Sequence, residues 1–341
     1  MMRVQFHADS HPSPELLRAV AATAPANPFF TTAYAESRRA LGFDPWMIAL
    51  RRNEGFSAAC PAFVKTGRLS RTLEIPSLPA FTNSEESGLF WSRLFDLCRR
   101  RGISTVTINS FASTHAAIPA FSGQARRRAR SEYVLELGSA ALWDRLASNH
   151  ARNIRRGRQA GLQIRRAPDP SACREHAALV EMSLERRRRH GEVVRAHDEA
   201  ESLAALSALT RCGAADVFQA VLDGRALSSL VVLRAARGAY YQSAGTSPEG
   251  MSRGASHWLV HEVANVLRGE GKELFNLGGA GDSDAGLKRF KTGFGTTTVP
   301  LEEAEFCLGG RVPARVRSGI GSIVRASEDL YARCVGFCSW L

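Results

Sequence analysis

Near the end of the chain, GLKRFKTGFG sets Lys288 and Lys291 three residues apart, with Phe290 beside the second lysine and Gly293 and Gly295 flanking Phe294. On one helical turn, side chains at this spacing point the same way. Two ammonium groups aimed at a cleft can hold a phosphate, and one of them can stabilise the oxyanion that forms when an amine attacks an ester or thioester. Just upstream, FNLGGAGDSD is a strand running into a glycine-rich bend, where Asp282 and Asp284 are candidate proton acceptors, with Tyr241 as a third. The plainer reading of the same residues is a solvated, lysine-rich loop.

A second stretch, YYQSAGTSPEGMSRGASHW, ends a strand at about Gly245, turns through Thr246 and starts a helix near Ser252. Free N–H groups and the dipole at such a start favour a phosphate or carboxylate, and Arg253 in the first turn opposes the dipole unless an anion arrives. His257 and His261 share a helix face, but Trp258 stands where a zinc-binding HExxH helix has glutamate, so no metal is expected. No serine-hydrolase elbow, phosphate-binding Walker loop or dinucleotide GxGxxG is present.

These residues need elements to hold them. Asn27 can cap a helix from Pro28 to Gly42, and two β-rich runs around Asn53-Glu54-Gly55 predict a hairpin. A helix over 86–101 and strands at ISTVTINS and EYVLEL follow. The second half repeats the order: a helix through ASNHARNIRRGRQ, a strand, helices near 172–190 and 198–211, three strands between Asp216 and Gly245, a helix over 253–269 and the strand KELFNLGG. The pattern predicts an α/β (α+β) protein of two related lobes, each a mixed, largely antiparallel sheet flanked by helices. Their bounds are 1–138 and 139–306, with a helical extension over 307–341.

Composition agrees with folding throughout. A chain of 341 residues suits two cores, since a single core stops growing at roughly 250–300 residues. The formal net charge of +12 favours an anionic partner. Seven scattered cysteines without a CxxC pair read as reduced, mainly buried thiols of a cytoplasmic protein. No apolar signal core and no run of about 18 apolar residues argues for secretion or a membrane span.

The segment from YYQSAGTSPEG through FNLGG to GLKRFKTGFG resembles the C-terminal signature of the FemABX-like aminoacyl transferases and related acetyltransferase-like proteins of the GNAT superfamily. LASNHARNIRRGRQAGLQIRR is similar to that family's entry into its second lobe, and NPFFTTAYAESRRALGFDP to the opening of its first. Two departures stand out: Asn276 replaces the usual aspartate before LGG, and the long helical arm of several Fem-type enzymes is not evident.

The resemblance implies two GNAT-like lobes and acyl transfer to an amine, without a metal or redox cofactor. Lys291 matches the lysine that steadies the oxyanion, with Phe290 shaping the pocket, and Arg152 and Arg155 match positions that hold anionic substrate. Arg253, from the dipole argument, joins Lys288, Tyr241, Gly245 and Thr246 as the remaining substrate- or donor-binding candidates. A backbone N–H on the strand LSSLVVLR, splayed from its neighbour, is the expected second oxyanion donor. The donor is charged tRNA, served by the arginine clusters at 126–130, 152–158 and 186–189, or a CoA ester. The acceptor is an amine-bearing small molecule or cell-envelope precursor. A Fem-like fold without catalysis, acting in envelope or polysaccharide assembly, is the other class. On this reading Lys291→Ala abolishes transfer and leaves the melting temperature nearly unchanged.

Overall fold

The computed structural model describes residues 4–308, apart from 53–54, 69, 82–83, 114–116, 139–140, 168, 192–197 and 282–283. The expected helical extension falls almost wholly outside these residues, as do Asp282, Cys334, Cys338 and two residues of the first hairpin turn. The chain divides into two compact units, one built from residues up to Arg130 and again from Pro300, the other from Ser131–Val299.

The first unit begins with strand β1 (Val4–Asp9) and helix α1 (Pro14–Thr23), which Ser13 starts by accepting the Leu16 N–H on its hydroxyl. The helix expected from Pro28 to Gly42 is in two pieces. Thr31 takes up an extended backbone and caps α2 (Thr32–Ala40) with its hydroxyl, which leaves Pro28–Phe30 as a separate 3-10 turn. Strands β2 (Asp44–Arg52), β3 (Gly55–Thr66), β4 (Arg71–Ile75) and the short β5 (Ala80–Phe81) follow, then α3 (Ser87–Arg100), β6 (Thr105–Asn109) and β7 (Gln124–Glu136). The sheet runs β1-β2-β3-β4-β6, antiparallel except for β4 against β6, the pair joined through α3. Strand residues such as Ile48, Leu50, Val64 and Val106 bury against Phe90, Trp91 and Leu94 of α3.

The second unit contains α4 (Ser148–Gln159), β8 (Gln163–Arg166), α5 (Pro170–Arg189), α6 (Glu199–Arg211), β9 (Ala215–Leu222), β10 (Arg225–Arg234), β11 (Gly238–Thr246), the short α7 (Pro248–Ser252), α8 (Ala255–Gly269), β12 (Leu274–Ala280) and α9 (Ala285–Thr292). Its sheet order is β8-β9-β10-β11-β12-β7, again antiparallel except for one pair, β11 with β12, joined through α8. The repeat read from sequence order is therefore a repeat of topology. On one sheet face Trp258, Leu259 and Val263 of α8 pack on Leu230, Val232 and Phe275. On the other, α5 lies so close to β11 that a Cβ on Gly245 would sit 2.3 Å from the backbone of Leu179 and Val180.

The last described strand, β13 (Thr297–Cys307), pairs antiparallel with β6, Glu303 opposite Asn109 and Cys307 opposite Thr105. The sequence boundary at 306 left this segment in the second lobe, because a strand's partner 190 or so residues away leaves no local mark. Among the described cysteines, Cys60, Cys98 and Cys173 are buried, Cys212 is half-buried and Cys307 is exposed.

Candidate active site

In the first unit the parallel ladder runs to the end of β4, Thr72–Ile75 against Thr105–Ile108, and a bond from Phe111 N–H to the Pro76 carbonyl prolongs it. The second unit differs. Strands β11 and β12 pair only from Gly238/Leu274 to Tyr240/Asn276, although β11 continues for six more residues. From there the strands part, and an opening forms whose two walls are backbone.

Two bulges shape it. Strand β10 pairs Val232 with Tyr241 and Val231 with Ser243, so Gln242 is an extra residue on the β11 wall. On β12 the register against β7 slips between Asn276 and Gly279. Gly278, at φ +73°, sits in this slip, where an added Cβ would lie 3.1 Å from the Tyr241 carbonyl and 3.6 Å from both Lys291 Nζ and the Tyr240 hydroxyl. Only glycine tolerates that backbone and that crowding.

Lys291 reaches this point from α9. It is 2% exposed, its Nζ donates to the Gly279 carbonyl at 2.6 Å, and it lies 5.7 Å from the centre of the Tyr241 ring. Glu132 of β7, wholly buried, accepts from the Tyr240 hydroxyl at 2.7 Å and from Asn276 Nδ2 at 2.8 Å. Asn276 Oδ1 in turn accepts the Gly278 N–H at 2.7 Å. An ammonium, a phenol and a carboxylate are thus fixed around one glycine, the donors and acceptors that acyl transfer requires. Glu132 and Tyr240 escaped the sequence reading: in RSEYVLEL and YYQS neither has a spacing that signals chemistry, and only strand pairing brings them together.

Residues 144–292 match the family model for the acetyltransferase (GNAT) domain. The second unit is a GNAT acyltransferase domain. In fold the chain is similar to FemX, at 14% identity and a TM-score of 0.64, over 94% of this chain and all of that one. It is similar also to a tandem GNAT protein from the clavulanic acid biosynthesis pathway, at 13% identity and a TM-score of 0.55, over 91% of this chain and 100% of that one. A third likeness is to the C-terminal domain of a putative lysylphosphatidylglycerol synthetase from Agrobacterium fabrum, at 16% identity and a TM-score of 0.51, over 91% and 96% of the two chains. No curated protein matches the chain by sequence. The chain is a FemABX-like GNAT fold and an acyltransferase.

Within the GNAT domain the other sequence candidates scatter. Phe290 is turned from Lys291 into a cluster of His257 (4.9 Å), Phe294 (5.2 Å) and His150 (6.0 Å). Tyr241 is buried beneath Lys291, and burial raises its phenol far above the ordinary range, so it is no proton acceptor at neutral pH. Gly245 is a packing glycine under α5. Thr246 is occupied by Ser228 and Ser183, at 2.8 and 3.0 Å.

Arg152 and Arg155 lie on the exposed face of α4, the first on Asn149 and the second over the Trp143 ring. Arg253 is not in a first helical turn. Ser247 caps the short α7, Gly254 at φ +70° restarts the chain as α8, and Arg253 between them pairs with Glu249 at 3.1 Å. Lys288 is half-buried on α9, and Asp284 stands at that helix's start, 3.6 Å from Arg187.

The strand expected to splay is also a different one. β10, carrying LSSLVVLR, is paired on both sides, by β9 and β11, and it is β11 that opens, since the crossover begins at its end. His257 and His261 part company: the first packs on His150 at 4.6 Å, the second on Trp143 at 5.6 Å. No group of three potential metal ligands occurs among the described residues. Burial, helped by His150 and Arg156, brings His257 down to about 4, a neutral imidazole at pH 7. Among the described residues, no helix is long and apolar enough to cross a membrane.

Proposed function

We propose that this acyltransferase forms an amide bond by moving an aminoacyl group from charged tRNA to an amine acceptor. The observation that carries the reading is the parting of β11 from β12 beyond Tyr240 and Asn276, with the buried Lys291 ammonium at its floor. In this reading the amine nitrogen attacks the ester carbonyl between the strands, and Lys291 offsets the charge that develops on the carbonyl oxygen. The Tyr240 hydroxyl, giving up its bond to Glu132, passes its proton to the departing ribose oxygen as the ester C–O bond breaks, and the acceptor nitrogen gives up the proton that restores it. Holding donor and acceptor together supplies much of the acceleration, because the ester is already activated.

The turn before α8 supports tRNA over CoA as donor. The N–H groups of Gly250, Met251, Arg253 and Gly254 are bonded within the turn, to Ser247, Glu249 and Met251. A Cβ on Gly254 would lie 2.4 Å from the Asn153 carbonyl, so α4 packs directly on this stretch of backbone. A pyrophosphate needs such amides pointing outward. FemX and the lysylphosphatidylglycerol synthetase domain, both similar to this chain in fold, point in the same direction.

The second reading, an acyl-CoA donor, is favoured by the acetyltransferase model matched over residues 144–292. The deciding experiment incubates the protein with tRNAs charged with labelled amino acids and a small-molecule extract, and in parallel with labelled acetyl-CoA. Label appearing in an RNase-resistant product from the tRNA arm alone supports the first reading. Label from the CoA arm alone overturns it.

A further inference from the structure

Two stretches far apart in the sequence, LASNHARNIRRGRQ and GLKRFKTGFG, meet in the GNAT domain. The Ala147 N–H donates to the Gly293 carbonyl at 2.9 Å, and Arg145 Nη2, just before the first stretch, donates to the Gly295 carbonyl at 2.6 Å. His150 Nε2 lies 2.8 Å from the Phe290 carbonyl. A carbonyl oxygen only accepts, so that nitrogen carries a proton. The ring rests directly on the backbone of the second stretch: a Cβ on Gly293 would lie 2.0 Å from its Cε1.

The Phe290 carbonyl has use for this partner. In a helix that ran on it would accept the N–H of Phe294, but that N–H turns to the Lys291 carbonyl at 3.3 Å as α9 ends. His150 therefore closes the last turn of α9 from outside. Its bond falls on the peptide unit directly before Lys291, while the Lys291 carbonyl also accepts from the Thr296 hydroxyl at 3.1 Å. The backbone is thus fixed on both sides of Lys291, whose side chain ends at the Gly279 carbonyl and the Tyr241 ring.

Packing alone does not explain the choice of residue. His150 is 5% exposed and stands perpendicular to the His257 ring at 4.6 Å and the Phe294 ring at 4.7 Å, a setting that an apolar side chain would also fill. Burial lowers its affinity for a second proton, so the ring is neutral and its Nδ1 is a bare acceptor. That Nδ1 is buried without a hydrogen-bond partner, a cost that leucine would avoid. What the imidazole contributes is one N–H at the Phe290 carbonyl.

We infer that His150 is a positioning residue for acyl transfer: by holding the Phe290 carbonyl it fixes the turn that carries Lys291 and keeps the ammonium aimed into the opening between β11 and β12. The inference rests on the reading of that opening as the transfer site. It gives the two stretches one task, the first forming the seat for the lysine of the second. A misplacement of about 1 Å can cost about a hundredfold in rate, so a bond one peptide away from Lys291 reaches the chemistry without touching substrate.

The test separates the hold on Lys291 from transfer itself. The chain has four lysines, Lys65, Lys272, Lys288 and Lys291, so each ammonium can be followed by NMR in lysine-labelled protein, with Lys291→Met identifying its signal. In the parent, the His150 ring should carry its proton on Nε2 and leave Nδ1 bare; the opposite tautomer overturns the inference. In His150→Gln, whose amide places an N–H where Nε2 was, Lys291 should keep the shift and hydrogen-exchange rate of the parent. In His150→Leu, which keeps most of the bulk and removes the donor, Lys291 exchange should quicken about tenfold, the worth of one hydrogen bond, while Lys65 and Lys272 keep their signals. In transfer from labelled aminoacyl-tRNA with the small-molecule extract, the maximal rate should fall about tenfold or more in His150→Leu, with KM for the tRNA within about twofold, and return towards the parent in His150→Gln. Parental Lys291 exchange in the leucine variant, or glutamine and leucine variants that behave alike, overturns the inference. Should the leucine variant fail to fold, the tautomer and the glutamine variant decide, and loss of the parental Lys291 signal in His150→Gln overturns it. If Lys291 responds as expected while no labelled product forms from tRNA or CoA, the transfer reading fails and the hold of His150 on Lys291 stands.

Discussion

The side-chain amide of Asn276 donates to Glu132 at 2.8 Å while its oxygen accepts the N–H of Gly278 at 2.7 Å. This one side chain explains a departure visible in the sequence. An aspartate at 276 accepts the glycine N–H equally well, but it has no proton to give Glu132 and sets a second buried carboxylate against the first. The amide is the residue that suits a neighbour 144 positions away.

Asn276→Asp is therefore expected to destabilise the GNAT domain by about 1–3 kcal/mol at neutral pH, the cost of a buried acceptor without a donor. Two carboxylates this close share a proton, so the pair's folded affinity for it rises above the unfolded value. The sign follows: the variant regains stability as pH falls and loses it as pH rises. Melting curves of variant and parent at pH 5 and pH 8 check this, and a deficit against the parent that is larger at pH 5 than at pH 8 contradicts it.

Lys291 is too deeply set for its removal to be silent. Lys291→Ala leaves the Gly279 carbonyl without its donor and opens space beside Tyr241, at an expected cost of about 1–3 kcal/mol. The expectation from sequence, a nearly unchanged melting temperature, took the lysine as aimed at a cleft, and its near-complete burial overturns that expectation. Lys291→Met keeps most of the volume, should melt closer to the parent, and should be as inactive as the alanine variant. Transfer by Lys291→Met at parental rate would remove the ammonium from the reaction.

Gly278→Ala combines a left-handed backbone with a contact at 3.1 Å, so a loss of about 1–2 kcal/mol is expected from the backbone alone. Because the added methyl points between Tyr240 and Lys291, kcat should fall further than stability does. Gly286, on α9 with open space around its Cβ position, is the control: Gly286→Ala should be neutral or slightly stabilising.

His176, on α5, holds Ser229 of β10 and Ser243 of β11 with its two ring nitrogens, both at 2.9 Å. A neutral ring does this by donating to one hydroxyl and accepting from the other. Burial pushes it down from 6.5 to about 3, so below pH 6.5 the unfolded chain binds a proton that the folded one refuses. Stability is expected to fall with decreasing pH at about 1.4 kcal/mol per pH unit for this group once its unfolded form is charged. In His176→Gln that slope should shrink between pH 6.5 and 5, and an unchanged slope assigns it elsewhere.

The order of elements was legible because each is written locally: Asn27 as a cap, the β-rich runs between Asp216 and Gly245, the helical period of 253–269. The phenylalanine and lysine of α9 were legible through a contiguous motif. The network beside Lys291 was not: Glu132 and Tyr240 lie on different strands from Asn276, and the three meet only through register. Arg253 was misplaced because the helix read from about Ser252 starts only at Ala255, after Gly254 at φ +70°.

The pairing of β13 with β6 also sets a timetable for synthesis. When β6 leaves the ribosome its outer edge has no partner, and the strand that covers it lies roughly 190 residues further on. At ~5–20 residues per second that interval is ~10–40 s. For that time a strand with alternating apolar residues presents open N–H and C=O groups to any passing chain. The first part of the protein to be made is the last to be finished, and its yield in cells should respond to chaperones and elongation speed more than the GNAT domain's own stability suggests.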